Sequence, residues 1–118
     1  HFLDDLGVRR YQIFSAGWIA DYPDPQNFMD ILFHSKSSQN HTGYQNQRVD
    51  LLLEKARIGE DATARWELYA EAEDIIVREA PIVPLYHGVN YTLVKPYVKG
   101  FTAGAGLRPW LKDIYFNE

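Results

Sequence analysis

Two carboxylates three residues apart, Asp21 and Asp24, stand in the span 17–28, which reads Gly-Trp-Ile-Ala-Asp-Tyr-Pro-Asp-Pro-Gln-Asn-Phe. An aspartate between Trp18 and Tyr22 in a partly dry cleft suits an ammonium group. The charge-assisted hydrogen bond is short, and a low dielectric strengthens it. A loop aspartate also suits an Asx-turn, in which the carboxylate bonds its own backbone, and residue type alone favours that role for Asp21. Asp24 precedes Pro25, and Asp-Pro is a helix start: the carboxylate caps free N–H groups, and proline at the first helical position has none to waste. Trp18 either walls a site or fills core beneath the loop, and spacing favours core. Used as an acid/base pair, Asp21 and Asp24 would make a hydrolase. Their proline-rich surroundings set no carboxylate geometry, however, and no activated nucleophile accompanies them.

Other chemistry has little support. His1, His34, His41 and His87 share no helix face and form no metal-ligand spacing, so they read as scattered surface histidines. There is no Gly-x-Ser-x-Gly elbow, and Gly104-Ala105-Gly106 lacks the strand-to-helix context of a phosphate loop. Glu67, Glu71, Glu73, Asp74 and Glu79 read as the solvated face of a helix. No cofactor is called for.

The elements that must position Asp21 follow from local pattern. Residues 1–7 read as the tail of a helix, with Phe2, Leu3 and Leu6 on one side and Gly7 as its stop. A start in mid-helix points to a larger architecture. Alternation over 10–16 predicts a strand, ended by Gly17, and Pro23 and Pro25 forbid its continuation. Asp21 therefore falls in irregular backbone between strand and helix, where binding groups gather. A short helix is expected over 25–34 with Phe28, Ile31 and Leu32 inward, then a polar surface loop over 35–42. Asn46 can cap a helix whose Val49, Leu52, Leu53 and Ala56 form an i, i+3, i+4, i+7 stripe, stopped by Gly59. A longer helix starts at Asp61 or Thr63 and runs to about residue 80, burying Leu68, Tyr69, Ala72 and Ile76, and Pro81 closes it. Residues 82–86 and 90–94 read as strands, with Gly88 between them and Pro84 marking an edge. Further short strands are expected over 98–101 and 110–116, with a loop over 102–108. The order predicts an α/β or α+β class.

Composition sets outer bounds. The 118 residues suit one modest core, and 46% hydrophobic content is that of an ordinary globular chain. A net charge of −4 without a basic stripe argues against nucleic acid. No apolar run approaches the roughly 20 residues of a membrane span, and no signal-peptide pattern opens the chain. With no cysteine there is neither a disulfide nor a thiolate metal site. The 14% aromatic content suits a core and a ligand-lined cleft alike.

The ordered set of short motifs goes further than any one of them. Gly17-Trp18-Ile19-Ala20-Asp21-Tyr22-Pro23-Asp24-Pro25 with Phe28 resembles a characteristic segment of the family-5 extracellular solute-binding proteins, the peptide- and nickel-binding receptors of ABC importers. Matching pieces follow in family order: Asn40 with Gly43-Tyr44, Val49-Asp50 with Leu52-Leu53, and Arg65 with Leu68-Tyr69 and Ala72-Glu73. Ala80-Pro81-Ile82-Val83-Pro84-Leu85-Tyr86 and Leu93-Val94-Lys95-Pro96-Tyr97-Val98 with Gly100-Phe101 complete the set. The resemblance spans nearly the whole chain and matches the C-terminal portion of a much longer, two-lobed receptor.

It implies the periplasmic binding protein type II fold, with a mixed sheet and flanking helices. Residues 1–89 would belong to the second ligand-binding lobe and 90–118 would return to the first, crossing the hinge near residues 87–90. It implies no enzyme activity, a peptide or other small solute as ligand, and a membrane permease as partner. A periplasmic or extracellular setting follows, with a lipid anchor on a preceding segment. Without the rest of the receptor, exposed apolar surface would favour association, for instance as a dimer. In peptide-binding members the aspartate matching Asp21 holds the ligand's α-ammonium. Trp18 and Tyr22 would line the cleft, with Tyr86, His87 and Gly88 near it at the crossing strand. Two departures matter. Some members carry a cysteine where Ile19 stands, so no disulfide ties this loop. No basic residue stands at Ser15 or Ala16 to meet a ligand carboxylate, so ligand length is left open. The same scaffold with a nickel chelate or an oligosaccharide is the nearest alternative.

Overall fold

The computed structural model describes residues 1–89, 91–102 and 111–117. Its centre is a three-helix unit. Helix α1 is Phe2–Gly7, α2 is Gln26–Phe33, α3 is Gln47–Ile58 and α4 is Ala62–Glu79. The connection between α3 and α4 is only 59–61, so the two helices fold back on each other as a hairpin, and α2 packs across both.

Local signals account for these boundaries. The Asn46 side chain accepts from the N–H groups of Arg48 and Val49, and Gly59 ends α3. The Asp61 side chain accepts from the Ala64 N–H and so starts α4. The core joins Met29 and Phe33 of α2, Val49, Leu52, Leu53 and Ala56 of α3, and Tyr69, Ala72 and Ile76 of α4. Val49, Leu53, Ala56 and Ala72 lose all contact with solvent. Each large side chain so buried contributes about 1.5–3 kcal/mol.

The buried face of α2 departs from expectation. Phe28 is 41% exposed and Ile31 and Leu32 are half-buried, whereas Asn27, Met29, Asp30 and Phe33 are buried. The polar members earn that place by bonding. Asp30 takes the Arg57 guanidinium at 2.9 Å and the Tyr69 hydroxyl at 3.4 Å, and Asn27 meets Trp18 and Asp21. His34 is buried as well and is not a surface histidine. Its Nδ1 accepts from the Lys36 N–H at 3.1 Å, and its Nε2 faces Glu54 at 3.3 Å. The loop over 35–42 is likewise only partly surface, since Asn40 is buried and donates to the carbonyls of His34 and Tyr44. In α1, Leu6 is buried while Phe2 and Leu3 stay exposed.

The strands expected over 10–16, 82–86 and 90–94 are not present as strands; Asn90 lies outside the described residues. Residues 11–16, 82–89 and 91–94 make no backbone hydrogen bond among the described residues. A strand is a pairing, and apolar alternation without an adjacent backbone does not make one. Among the described residues only β1, Val98–Lys99, and β2, Tyr115–Phe116, pair, antiparallel, with Val98 opposite Phe116. Thus the strand expected over 98–101 is shortened, and that expected over 110–116 becomes the 3-10 turn Leu111–Asp113 followed by β2. Trp110 and most of the loop expected over 102–108 lie outside the described residues. Gly100 has φ +73, and a Cβ there would stand 1.8 Å from the Asp113 carbonyl oxygen, so this crossing admits only glycine.

Candidate functional site

The loop between residues 17 and 25 is held from below by one side chain. Asn27, at the start of α2, has no solvent exposure, and its Oδ1 accepts two hydrogen bonds. One comes from the Trp18 indole Nε1–H at 3.0 Å and the other from the Asp21 backbone N–H at 3.1 Å. Trp18 is therefore partly buried and tethered, midway between wall and core filler. The Tyr22 hydroxyl donates to Gln26 Oε1 at 2.8 Å, which fastens the next residue to the first turn of α2.

The Asp21 side chain is exposed, and among the described residues nothing donates to its carboxylate. The Asx-turn that residue type favours is not formed. Asp24 is the opposite case. Its Oδ1 accepts from the Gln26 N–H at 2.9 Å, as expected of a helix start, and both its oxygens take Arg65 Nη2, at 3.1 and 3.0 Å. Arg65 also donates through Nε to the Ala56 carbonyl at 2.9 Å and lies over the Tyr69 ring at 5.7 Å. The hydrogen bond to Asp24 pushes its guanidinium pKa up. One aspartate is thus neutralised and built into the scaffold, and the other is presented unpaired. That division leaves no acid/base pair.

Trp18, Asp21 and Tyr22 are brought together around Asn27 and the start of α2. Tyr86, His87 and Gly88 are not. They lie exposed on the irregular segment after α4, and among the described residues no hydrogen bond, ion pair or ring contact joins them to the loop. Asn27 itself was not singled out by sequence reasoning, nor was the part Arg65 plays. A signal existed: Asn27, Asp30 and His34 recur at i, i+3 and i+7, the spacing of a buried helix face, but an apolar-only count passes over them.

No group of three or more histidine or acidic side chains among the described residues could hold a metal ion. Shallow clefts flank the loop: one lies between Pro23, Arg65 and Tyr69, the other is apolar and is formed by Ala20, Tyr22, Pro23, Phe28 and Trp66.

No protein-family model matches the chain. It is 37% identical over 115 residues to the periplasmic oligopeptide-binding protein OppA of Salmonella typhimurium, covering 97% of this chain and 21% of that protein. It is also 37% identical over 100 residues to YgiS of Escherichia coli, a probable deoxycholate-binding periplasmic protein, covering 85% of this chain and 18% of the relative. Among solved structures it is similar to the unliganded open form of the periplasmic murein tripeptide-binding protein MppA. The TM-score is 0.75 at 32% identity, over 85% of this chain and 19% of that one. The chain thus spans about a fifth of the length of the relatives it matches. These relatives are periplasmic, and no described helix here is long and apolar enough to cross a membrane. By sequence along nearly its whole length, and by fold, the chain is similar to one segment of the family-5 extracellular solute-binding proteins.

Proposed function

We propose that this chain is the C-terminal portion of the substrate-binding component of an ABC importer, which captures peptides and holds their α-ammonium on Asp21. The observation that carries the reading is the contrast between two neighbouring carboxylates. Asp24 is saturated by Arg65 and the Gln26 N–H, while Asp21, its backbone fixed, offers an unpaired carboxylate. A cation from outside is what such a group lacks. The names of the OppA and MppA relatives support a peptide ligand.

Residues 1–89 would form part of the second ligand-binding lobe, and 90–118 would return to the first. Tyr86, His87 and Gly88 then lie near the crossing and meet the ligand as the lobes close, with Trp18 and Tyr22 on the opposite wall. Capture ends in handover to a membrane permease, without chemistry, from a periplasmic or extracellular position and with a lipid anchor on a preceding segment.

Calorimetry on the full-length receptor tests this. Asp21→Ala is expected to remove about 2–5 kcal/mol of affinity for a tripeptide, the range for truncating one partner of a buried charge pair. A loss within about 0.5 kcal/mol, the level of an indifferent surface change, would take Asp21 out of ligand contact. The likeness to a probable deoxycholate-binding protein favours a second reading, a non-peptide ligand on the same scaffold. Under that reading Asp21→Ala leaves affinity for the true ligand intact, and tripeptides do not compete.

A further inference from the structure

Asn27 combines three features that structural packing alone does not require. It is wholly buried; its Oδ1 takes the Trp18 indole N–H and the Asp21 N–H together; and its Nδ2 is buried with no partner among the described residues. Both donors point at the same atom, so the amide orientation is fixed: reversing it would set N–H against N–H. A neutral acceptor is the right chemistry at this place. An aspartate could accept the same two bonds, but it would bury a second negative charge beside Asp21 and disturb its field.

We propose that Asn27 is the positioning residue of the ammonium site, holding the Asp21 carboxylate and the Trp18 indole in one fixed relation so that the loop grips a cation without rearranging. The inference rests on the reading of Asp21 given above. Tethering the Asp21 nitrogen leaves three rotatable bonds, N–Cα, Cα–Cβ and Cβ–Cγ, between anchor and carboxylate, and Trp18 shares the anchor, so both groups are tied to α2. Preorganisation of this kind acts on the charged end of the ligand and not on the rest of it.

The test uses the full-length receptor and two probes, a free-amine tripeptide and the same tripeptide N-acetylated. Asn27→Ala is expected to reduce the preference for the free amine by about tenfold or more, with affinity for the acetylated form changed less than about twofold. General destabilisation would weaken both probes alike, and an unchanged preference would overturn the proposal. Hydrogen exchange on the peptide-free protein gives a second readout. The Trp18 indole and Asp21 amide protons should exchange slowly in the wild type and in Asn27→Asp, which keeps both acceptor bonds, and at least about tenfold faster in Asn27→Ala. Should Asn27→Ala fail to fold, the wild type decides: an unprotected Asp21 amide overturns the anchor, and a protected one supports it. A wild type that does not distinguish the two tripeptides would remove the peptide reading, while the exchange experiment still judges Asn27.

Discussion

Arg65 ties three elements together through one guanidinium. It reaches Asp24 ahead of α2 and the Ala56 carbonyl near the end of α3, and it lies over Tyr69 on its own helix. The Arg78–Asp74 pair, by contrast, joins neighbours on the outer face of α4 with both side chains more than half exposed. Arg65→Met should therefore lower the denaturant midpoint clearly more than Arg78→Met, since exposed i,i+4 pairs contribute little. Equal shifts in urea melts would show that the Arg65 contacts add no more than a surface pair. Two tyrosines link stability to alkaline pH. Burial, then the Glu79 carboxylate, pushes the Tyr44 pKa up to about 12; burial, then the charge of Asp30, takes Tyr69 to about 12. Each keeps its proton in the fold and loses it near pH 10 when unfolded, so the unfolded chain binds fewer protons between these values. Stability is expected to fall as pH rises from 10 towards about 12, and in Tyr44→Phe the fall should be shallower. Glu79 acts at the other end of the scale. Its hydrogen bonds from Tyr44 and then Asn46 lower its pKa below 4.5, so its contribution is present above that value and lost as pH falls through the folded pKa.

Among the elements, α3 and α4 stand on signals that lie within a few residues of each boundary. Asn46→Ala removes the bonds to two N–H groups of α3 and takes one of its two donors from Glu79, leaving it only Tyr44, which should cost about 1–2 kcal/mol in thermal or urea melts. Leu53→Ala opens a cavity at a position with no solvent contact, and a loss of roughly 2–5 kcal/mol is expected. Ala80 ends α4 with φ +50, in the left-handed region that glycine tolerates best, so Ala80→Gly should stabilise by about 0.5–1 kcal/mol. These caps, stops and stripes were legible in sequence because helices satisfy themselves locally. The inward face of α2 was not, because Asn27, Asp30 and His34 are buried by partners that lie far away in sequence, on Arg57, Glu54 and the Trp18 loop. Strands were least legible of all. Residues 10–16 and 82–94 have strand composition, yet strand formation depends on a neighbour that no local pattern names. The span 17–28 stood out from its residues, but the division of labour between Asp21 and Asp24 needed Arg65, which is brought there only by packing.

At the scale of the whole molecule the chain is not a single globule. Its radius of gyration is 18.3 Å, where a compact domain of this length has about 13–14 Å. The segments outside the helical unit turn apolar side chains to solvent: Ile13 is 92% exposed, Tyr91 89% and Leu93 99%. Unpaired backbone carrying exposed β-branched and aromatic side chains is a template for pairing with another chain, and Pro84 and Pro96 interrupt that template without removing it. In a protein about five times this length such segments can be covered by the remainder; in the 118-residue chain alone they have only one another or a second copy to meet. The isolated chain is therefore expected to self-associate as its concentration rises, read as an increase in weight-average mass by light scattering. Leu85→Lys combined with Leu93→Lys places a charge on each half of the segment after α4, and should return the chain to 13.7 kDa without altering the helical signal in circular dichroism. If the double variant associates as strongly as the parent, the surface responsible lies on the helical unit instead, where Trp66 (63% exposed) and Phe28 flank the apolar cleft beside the Asp21 loop.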